Sequence, residues 1–159
     1  MTTLIGILRD IPQGSAVNLM TCSPNLLKNL GIKLAMELTK AKELSEHRLF
    51  QAILVQALED ALNPSNFKKQ IYWKEDAHRW FMENSKDFQN VCWSADMDPE
   101  MIRGEYLKLI KNKKIIFSKL QQHWLNYREL YRLYREAASK EERREIKKRI
   151  VEEGLKKLS

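Results

Sequence analysis

Residues 85–106 read SKDFQNVCWSADMDPEMIRGEY, and they outline two helices joined by a turn. Ser85 stands before a short run with helical spacing, where a serine side chain can cap a helix by accepting a hydrogen bond from a free backbone amide. The apolar residues that share one face of this helix are Phe88, Val91, Cys92 and Ala95. The Asp-Met-Asp sequence at residues 96–98 then predicts a tight turn.

A second helix is predicted to start at Asp98 and Pro99. Aspartate at the N-cap accepts hydrogen bonds from free backbone amides, and proline at the first helical position has no amide to leave unsatisfied. The predicted helix covers residues 99–112, and its inward-facing residues are Ile102, Tyr106 and Leu109. Because both helices have an apolar inner face, residues 85–110 have the outline of a helix-turn-helix.

This outline predicts a set of DNA-contacting cations. Arg103 lies in the first turns of the second helix, where an arginine can pair bidentately with guanine. Lysines beyond it can hold phosphates, as can Lys86 near the start of the preceding helix. The predicted DNA-binding residues are Lys86, Arg103, Lys108, Lys111, Lys113 and Lys114. Acidic groups on the same segment repel phosphate unless they turn aside, and these are Asp87, Asp96, Asp98 and Glu100.

The composition agrees with a helical protein of one ordinary domain. The chain has 159 residues, of which 43% are hydrophobic and 31% charged, with only five glycines and four prolines. These values favour an all-α helical bundle over a turn-rich β fold. Residues 103–159 carry 17 basic and 8 acidic residues, so most of the net charge of +7 is C-terminal. Such an excess attracts polyanions, although Glu–Lys pairs on solvated helices give the same composition.

Apolar spacing predicts three helices before residue 85. The first runs from Asn25 to about Leu44, with Gly31 as its weak point. Ser45 is the predicted N-cap of the second, which ends at Asn63 before a proline. Its predicted apolar stripe is Leu49, Ile53, Leu54, Ala57, Leu58 and Ala61. The third covers residues 66–83, and its cations are expected to face water or a partner, namely Lys68, Lys69, Lys74 and Arg79.

The chain after Leu109 is helical in composition almost to its end. Aromatic and apolar residues recur there at intervals of three and four, which forms a seam that needs another helix against it. The predicted seam, and the candidate oligomer interface, is Phe117, Leu120, Trp124, Tyr127, Tyr131 and Tyr134. Ser139 and Glu142 have the spacing of a capping box for a last helix.

Three short runs resemble a pattern found in small proteins encoded by phages and prophages. They are AHRWF at 77–81, SKDFQNVC at 85–92 and DPEMIR at 98–103, with Ala95 between the last two. The resemblance extends from about Leu49 to Leu107, and it implies a helix-turn-helix DNA-binding factor. The order of a DNA-binding unit and oligomerising helices is similar to that of phage small terminase subunits, which recognise viral DNA for packaging. Asp96 stands where the pattern commonly has a glycine.

No sequence pattern indicates an enzyme, a metal site or a cofactor. Cys22 and Cys92 form no CxxC pair, and Cys92 lies on an apolar face as a small core residue. The histidines are scattered through the chain, at His47, His78 and His123. The N-terminal apolar run is too short to span a membrane, so we expect a cytoplasmic protein, in the host cytoplasm if it is phage-encoded.

The expected organisation has three segments. Residues 1–24 form an irregular arm, residues 25–112 a helical domain, and residues 113–159 long helices for oligomerisation or partner docking. The expected partners are double-stranded DNA, further copies of this chain, and a larger phage protein bound through the C-terminal helices. The alternative is a helical structural or adaptor protein whose helix pairs bind a protein partner.

Overall fold

The computed structural model describes residues 23–40 and 43–156, and within these ranges the chain forms eight helices and no strand. The predicted all-α class is confirmed. The helices are α1 (Pro24–Asn29), α2 (Ile32–Thr39), α3 (Ser45–Leu62), α4 (Lys68–Glu83), α5 (Lys86–Ser94), α6 (Pro99–Lys111), α7 (Lys119–Glu136) and α8 (Lys140–Lys156). An irregular arm was predicted for residues 1–24, and residues 1–22 of it lie outside the part of the chain that the structure describes.

The chain divides into two units, and neither is continuous in sequence. Among the described residues, the first unit contains those up to Pro64 together with Trp73–Ile116, and the second contains Ser65–Tyr72 together with those from Phe117 on. Helix α4 therefore contributes its first residues to the second unit and the rest to the first. The division predicted between residues 112 and 113 did not assign residues 65–72 to the C-terminal segment.

Aromatic side chains form the centre of the first unit. There α3 packs against α1 and α5, and α5 packs against α6. The ring of Trp80 meets the rings of Phe81 and Phe88 edge-on, with centroids 5.3 and 5.0 Å away. The Phe81 ring stacks on the ring of Tyr106 at 4.2 Å. All four rings are buried, so they hold α4, α5 and α6 together through apolar burial and favourable ring geometry.

The caps predicted around the turn between α5 and α6 are confirmed. The Ser85 hydroxyl accepts from the backbone amide of Phe88 at 3.2 Å, and the Asp98 carboxylate accepts from the amide of Glu100 at 3.0 Å. Between the helices, Asp96 takes a φ of 55°, in the left-handed region that glycine adopts most easily. The turn therefore contains a left-handed residue, and an aspartate occupies this position where glycine is most easily accommodated.

The single helix predicted for residues 25–44 is wrong, because the structure has two helices there. Leu30 and Gly31 are both extended, with ψ values of 150°, and they separate α1 from α2. A β-carbon on Gly31 would lie 2.5 Å from a carboxylate oxygen of Glu105, so a side chain at this position would displace that carboxylate. The N-cap of α3 is Leu44 and not Ser45, which is the first helical residue.

Two side chains of the first unit, Lys74 and Leu49, differ in burial from what was predicted. Lys74 is only 3% exposed, and its ammonium donates to the carbonyls of Asn63 at 3.0 Å and Ile116 at 2.7 Å. Burial lowers the pKa of Lys74. The predicted solvent-facing role of Lys74 is wrong, because these carbonyls hold it inside. Leu49 was predicted to be buried but is 45% exposed, whereas the rest of its stripe is buried.

The second unit is built on a hairpin of α7 and α8. Residues 112–118 interrupt the helical run expected after Leu109, and Ser118 and Gln121 form a reciprocal capping box at the start of α7. The Ser139 hydroxyl accepts from the amide of Glu142, as predicted, and the Glu142 carboxylate accepts from the amide of Ala138. The buried cluster between the two helices is Leu130, Ala137, Ile146 and Ile150.

Candidate nucleic-acid interface

Four of the six predicted DNA-binding residues are exposed and form no ion pair within the described ranges. They are Lys86 at the start of α5 and the lysines at the end of α6, Lys111, Lys113 and Lys114. Lys108 is also exposed, but its ammonium lies 2.6 Å from a carboxylate oxygen of Glu105, one turn earlier on α6. The three lysines at the end of α6 therefore form the clearest basic cluster of the first unit.

Arg103 is partly buried and does not project into solvent as the three lysines do. Its Nη2 lies 3.5 Å from the carbonyl oxygen of Met82 on α4. Its Nε is buried and has no hydrogen-bond partner among the described residues. An arginine that reads guanine must extend its guanidinium to the base edge. In this structure the guanidinium of Arg103 instead lies against the end of α4.

Acidic residues balance the cations of the first unit. Asp96, Asp98 and Glu100 are all exposed around the turn that leads into α6. Over its described residues, this unit has twelve lysines and arginines and thirteen aspartates and glutamates. The helical corner that the sequence favoured for DNA binding thus belongs to a unit with almost no net charge.

The second unit carries the basic excess. Its described residues include thirteen lysines and arginines and seven aspartates and glutamates. Because its long helices α7 and α8 pack through one apolar stripe, most of these charges remain on exposed helix faces. A polyanion is therefore attracted to this unit more strongly than to the first.

Three cations of α8 form an exposed row. Lys140, Arg144 and Lys147 follow each other at intervals of four and three, which places them in one row along the helix. All three are exposed, and none has an ion pair or side-chain hydrogen bond with any residue in the described ranges. We call them the α8 cation row. Glu141, Glu145 and Glu152 lie on an adjacent flank, about 110° around the helix from the row, and Arg149 and Lys156 lie on that flank too.

The sequence contained the signal for this row, but the prediction did not use it. The predicted DNA contacts were Lys86 and the cations from Arg103 to Lys114, which were chosen because of the helix-turn-helix outline. The row is visible only when residues 140–156 are placed on a helix at 100° per residue.

Glu153 holds a buried polar cluster between α7 and α8. Its Oε1 accepts from Asn126 at 3.2 Å and lies 3.1 Å from Nδ1 of His123, and its Oε2 accepts from Lys156 at 3.1 Å. Burial raises the pKa of Glu153, but the hydrogen bonds from Lys156, Asn126 and His123 outweigh it and leave the pKa below its usual value. The carboxylate therefore stays ionised at neutral pH and draws Lys156 to its own flank.

The predicted aromatic seam is partly used within the chain. Tyr127 and Tyr134 pack against the buried cluster that includes Ile146 of α8. Helix α8 of the same chain is therefore the partner helix for these two residues of the seam. Leu120 and Tyr131 remain 36% and 50% exposed.

Residues 65–72 lie alongside the first half of α7, and contacting residues differ by a constant number of positions in sequence. The side-chain amide of Gln121 donates to the Ser65 carbonyl at 2.8 Å, and the guanidinium of Arg128 donates to the Tyr72 carbonyl at 3.3 Å. Between them, the ammonium of Lys68 lies 5.2 Å from the ring centroid of Trp124. Each contact joins residues 56 apart, so the two segments are parallel and in register over two helical turns.

Comparisons with protein-family models, curated proteins and solved structures find no match to this chain. Within the ranges 23–40 and 43–156, no group of three or more His, Cys, Asp or Glu residues is placed to hold a metal ion. No helix in those ranges combines the length and the apolar character needed to cross a membrane. Cys92 is fully buried in the first core, and burial together with the charge of Asp98 raises the pKa of its thiol to about 12.

Proposed function

We propose that this chain is a DNA-binding protein that contacts the phosphate backbone mainly through the α8 cation row. The observation that carries the proposal is the exposed row Lys140, Arg144 and Lys147 on the basic second unit, where no described carboxylate pairs with it. The row covers about 10 Å of helix, and the same length of duplex axis carries about six phosphate charges. Each phosphate neutralised by the row releases counterions, which favours binding at low salt.

Charge distribution carries this proposal, because no comparison supports the resemblance to phage small terminase subunits. Contacts to phosphate carry no sequence information, so the α8 cation row binds duplexes of different sequence with similar affinity. The exposed lysines Lys111, Lys113 and Lys114 form a second basic cluster in the first unit. Replacing these three lysines removes as much positive charge as replacing the α8 cation row, so they provide the control in the test.

The test is a salt titration of duplex binding by two triple variants. In the first variant, Lys140, Arg144 and Lys147 are replaced by glutamine, and in the second, Lys111, Lys113 and Lys114 are replaced by glutamine. Loss of three phosphate contacts reduces the slope of log affinity against log salt by roughly 2.7. We expect this reduction in the α8 variant and a smaller one in the α6 variant. All six side chains are exposed, so both variants are expected to keep their helical content by circular dichroism.

Two outcomes would overturn the proposal. One is the absence of duplex binding by the wild-type chain at low salt, which would favour the structural or adaptor alternative. The other is an α8 variant that binds with the affinity and salt slope of the wild type. If the α6 variant alone loses affinity, the DNA contact belongs to the end of the predicted helix-turn-helix and not to α8.

A further inference from the structure

Aromatic rings and cations alternate where residues 65–72 lie alongside α7. The ammonium of Lys68 lies over the rings of both Tyr72 and Trp124, at 5.8 and 5.2 Å from their centroids. The guanidinium of Arg128 lies 4.8 Å from the centroid of Tyr72. This arrangement holds two cations at the surface of the basic unit by their contact with aromatic rings.

Each end of this alternating group has an exposed ring. Phe67 directly precedes α4 and is 75% exposed, and Tyr131 lies one turn beyond Arg128 on α7 and is 50% exposed. Tyr131 is supported from the inner side by the ring of Tyr127, with centroids 5.8 Å apart. We call Phe67, Lys68, Trp124, Arg128 and Tyr131 the aromatic–cation surface.

We propose that the aromatic–cation surface binds single-stranded nucleic acid, with unpaired bases stacked on Phe67 and Tyr131 and phosphates held by Lys68 and Arg128. This inference rests on the proposed function, because it requires the basic unit to attract nucleic acid. Each base has a flat π-face, so stacking on exposed rings tolerates any sequence. Bases in a duplex are already stacked on their neighbours, so the surface favours single strands over duplexes. The net positive charge of the unit complements the phosphate chain.

The test compares an oligothymidylate of about 15 nucleotides, long enough for a single-strand binding site, with an abasic oligonucleotide of equal length. Both carry the same phosphates, but only the first has bases to stack. We expect the full chain to bind the oligothymidylate at least about tenfold more tightly, measured by fluorescence anisotropy at one salt concentration. Replacing both Phe67 and Tyr131 with alanine is expected to abolish this difference.

Two further variants isolate the role of the rings. Phe67→Leu with Tyr131→Leu keeps apolar bulk without a π-face, and it is expected to behave as the alanine variant does. Trp93→Ala removes an aromatic residue that is 62% exposed in the first unit, and it is expected to leave the difference unchanged. The leucine variant also provides the test if the alanine variant loses its helical content.

Failure of this inference is distinguishable from failure of the proposed function. Equal affinity for the abasic and thymidylate chains, with duplex binding retained, would overturn base stacking alone. A tenfold difference that survives the leucine variant would place the stacking elsewhere and would also overturn it. No binding of any of the three nucleic acids at low salt would overturn both proposals.

Discussion

Asp96 shows how one backbone position is set by the turn between α5 and α6. Its φ of 55° lies where side chains beyond glycine are crowded, but aspartate and asparagine tolerate the region because their short polar groups bond locally. The residue is exposed, so the cost of the conformation is local and is not offset by apolar burial. A left-handed residue at this position allows α6 to begin a few residues after α5 ends.

Substitutions at Asp96 are expected to depend on backbone freedom more than on charge. Asp96→Gly is expected to change the free energy of unfolding by less than about 1 kcal/mol, because relief of strain and added freedom of the unfolded chain oppose each other. Asp96→Val is expected to lower it by about 1–2 kcal/mol, because a β-branched residue is strained at this φ. Urea unfolding measures both. Asn90→Val, on the exposed face of α5, is the control, and an equal loss there would contradict the backbone explanation.

Cys92 gives a prediction for the pH dependence of stability. Its pKa is about 12 in the folded chain against 9.0 for an unperturbed thiol, so the unfolded chain loses this proton first as pH rises. The stabilising contribution is complete below pH 9.0 and is lost between 9.0 and about 12, at about 1.4 kcal/mol per pH unit.

Urea unfolding between pH 8 and pH 10 tests this, with Cys22→Ser as the background. We expect the wild-type Cys92 chain to lose about 1.4 kcal/mol more than the Cys92→Ala chain over this range. Parallel pH profiles for the two chains would show that the thiol does not titrate differently on folding.

At the scale of the helices, the hairpin of α7 and α8 depends on a narrow apolar stripe. Ile150 is 8% exposed within this stripe, and its neighbour Val151 is 57% exposed on the other face of α8. Ile150→Ala is expected to lower the free energy of unfolding by about 2 kcal/mol, at the lower end for a buried isoleucine because the cluster is small. Val151→Ala is expected to change it by less than about 0.5 kcal/mol. Equal effects in denaturant unfolding would contradict this packing.

Elements with local signals were mostly predicted well, although Ser45 is not the N-cap of α3, and those set by distant contacts were not. The caps at Ser85, Asp98 and Ser139 depend only on neighbouring residues, and all three are present. The burial of Lys74 depends on carbonyls 11 and 42 residues away, which no local pattern contains. The break between α1 and α2 likewise accompanies a close approach of Gly31 to Glu105. Tertiary contacts therefore decide the positions that helix propensity leaves open.

The candidate site shows the same division between local and distant causes. The sequence identified the lysines at the end of α6, which are exposed. It could not show that Arg103 lies against the Met82 carbonyl, because that contact joins α6 to α4. The aromatic–cation surface was also beyond a sequence-based prediction, since it requires residues 65–72 to lie beside α7. The α8 cation row required only a helix and its period.

For the molecule as a whole, charge and aromatic exposure are unequal between the two units. The first unit is nearly neutral and closes a large aromatic core with one exposed ring, Trp93, whereas the second is basic and exposes two rings, Phe67 and Tyr131, among the described residues. Self-association through the predicted seam stays a prediction. Because Tyr127 and Tyr134 already pack within the chain, such an interface would depend on Leu120 and Tyr131.

The division of α4 between the two units has a consequence for biosynthesis. The ribosome releases residues 65–72 before the first unit is complete, and it releases their partners on α7 only after that unit. Lys68 and Tyr72 must therefore wait without their partners Trp124 and Arg128 until 56 further residues have been made, a delay of several seconds at ordinary elongation rates. A gene fragment that stops before α7 would leave that segment permanently in this nascent state.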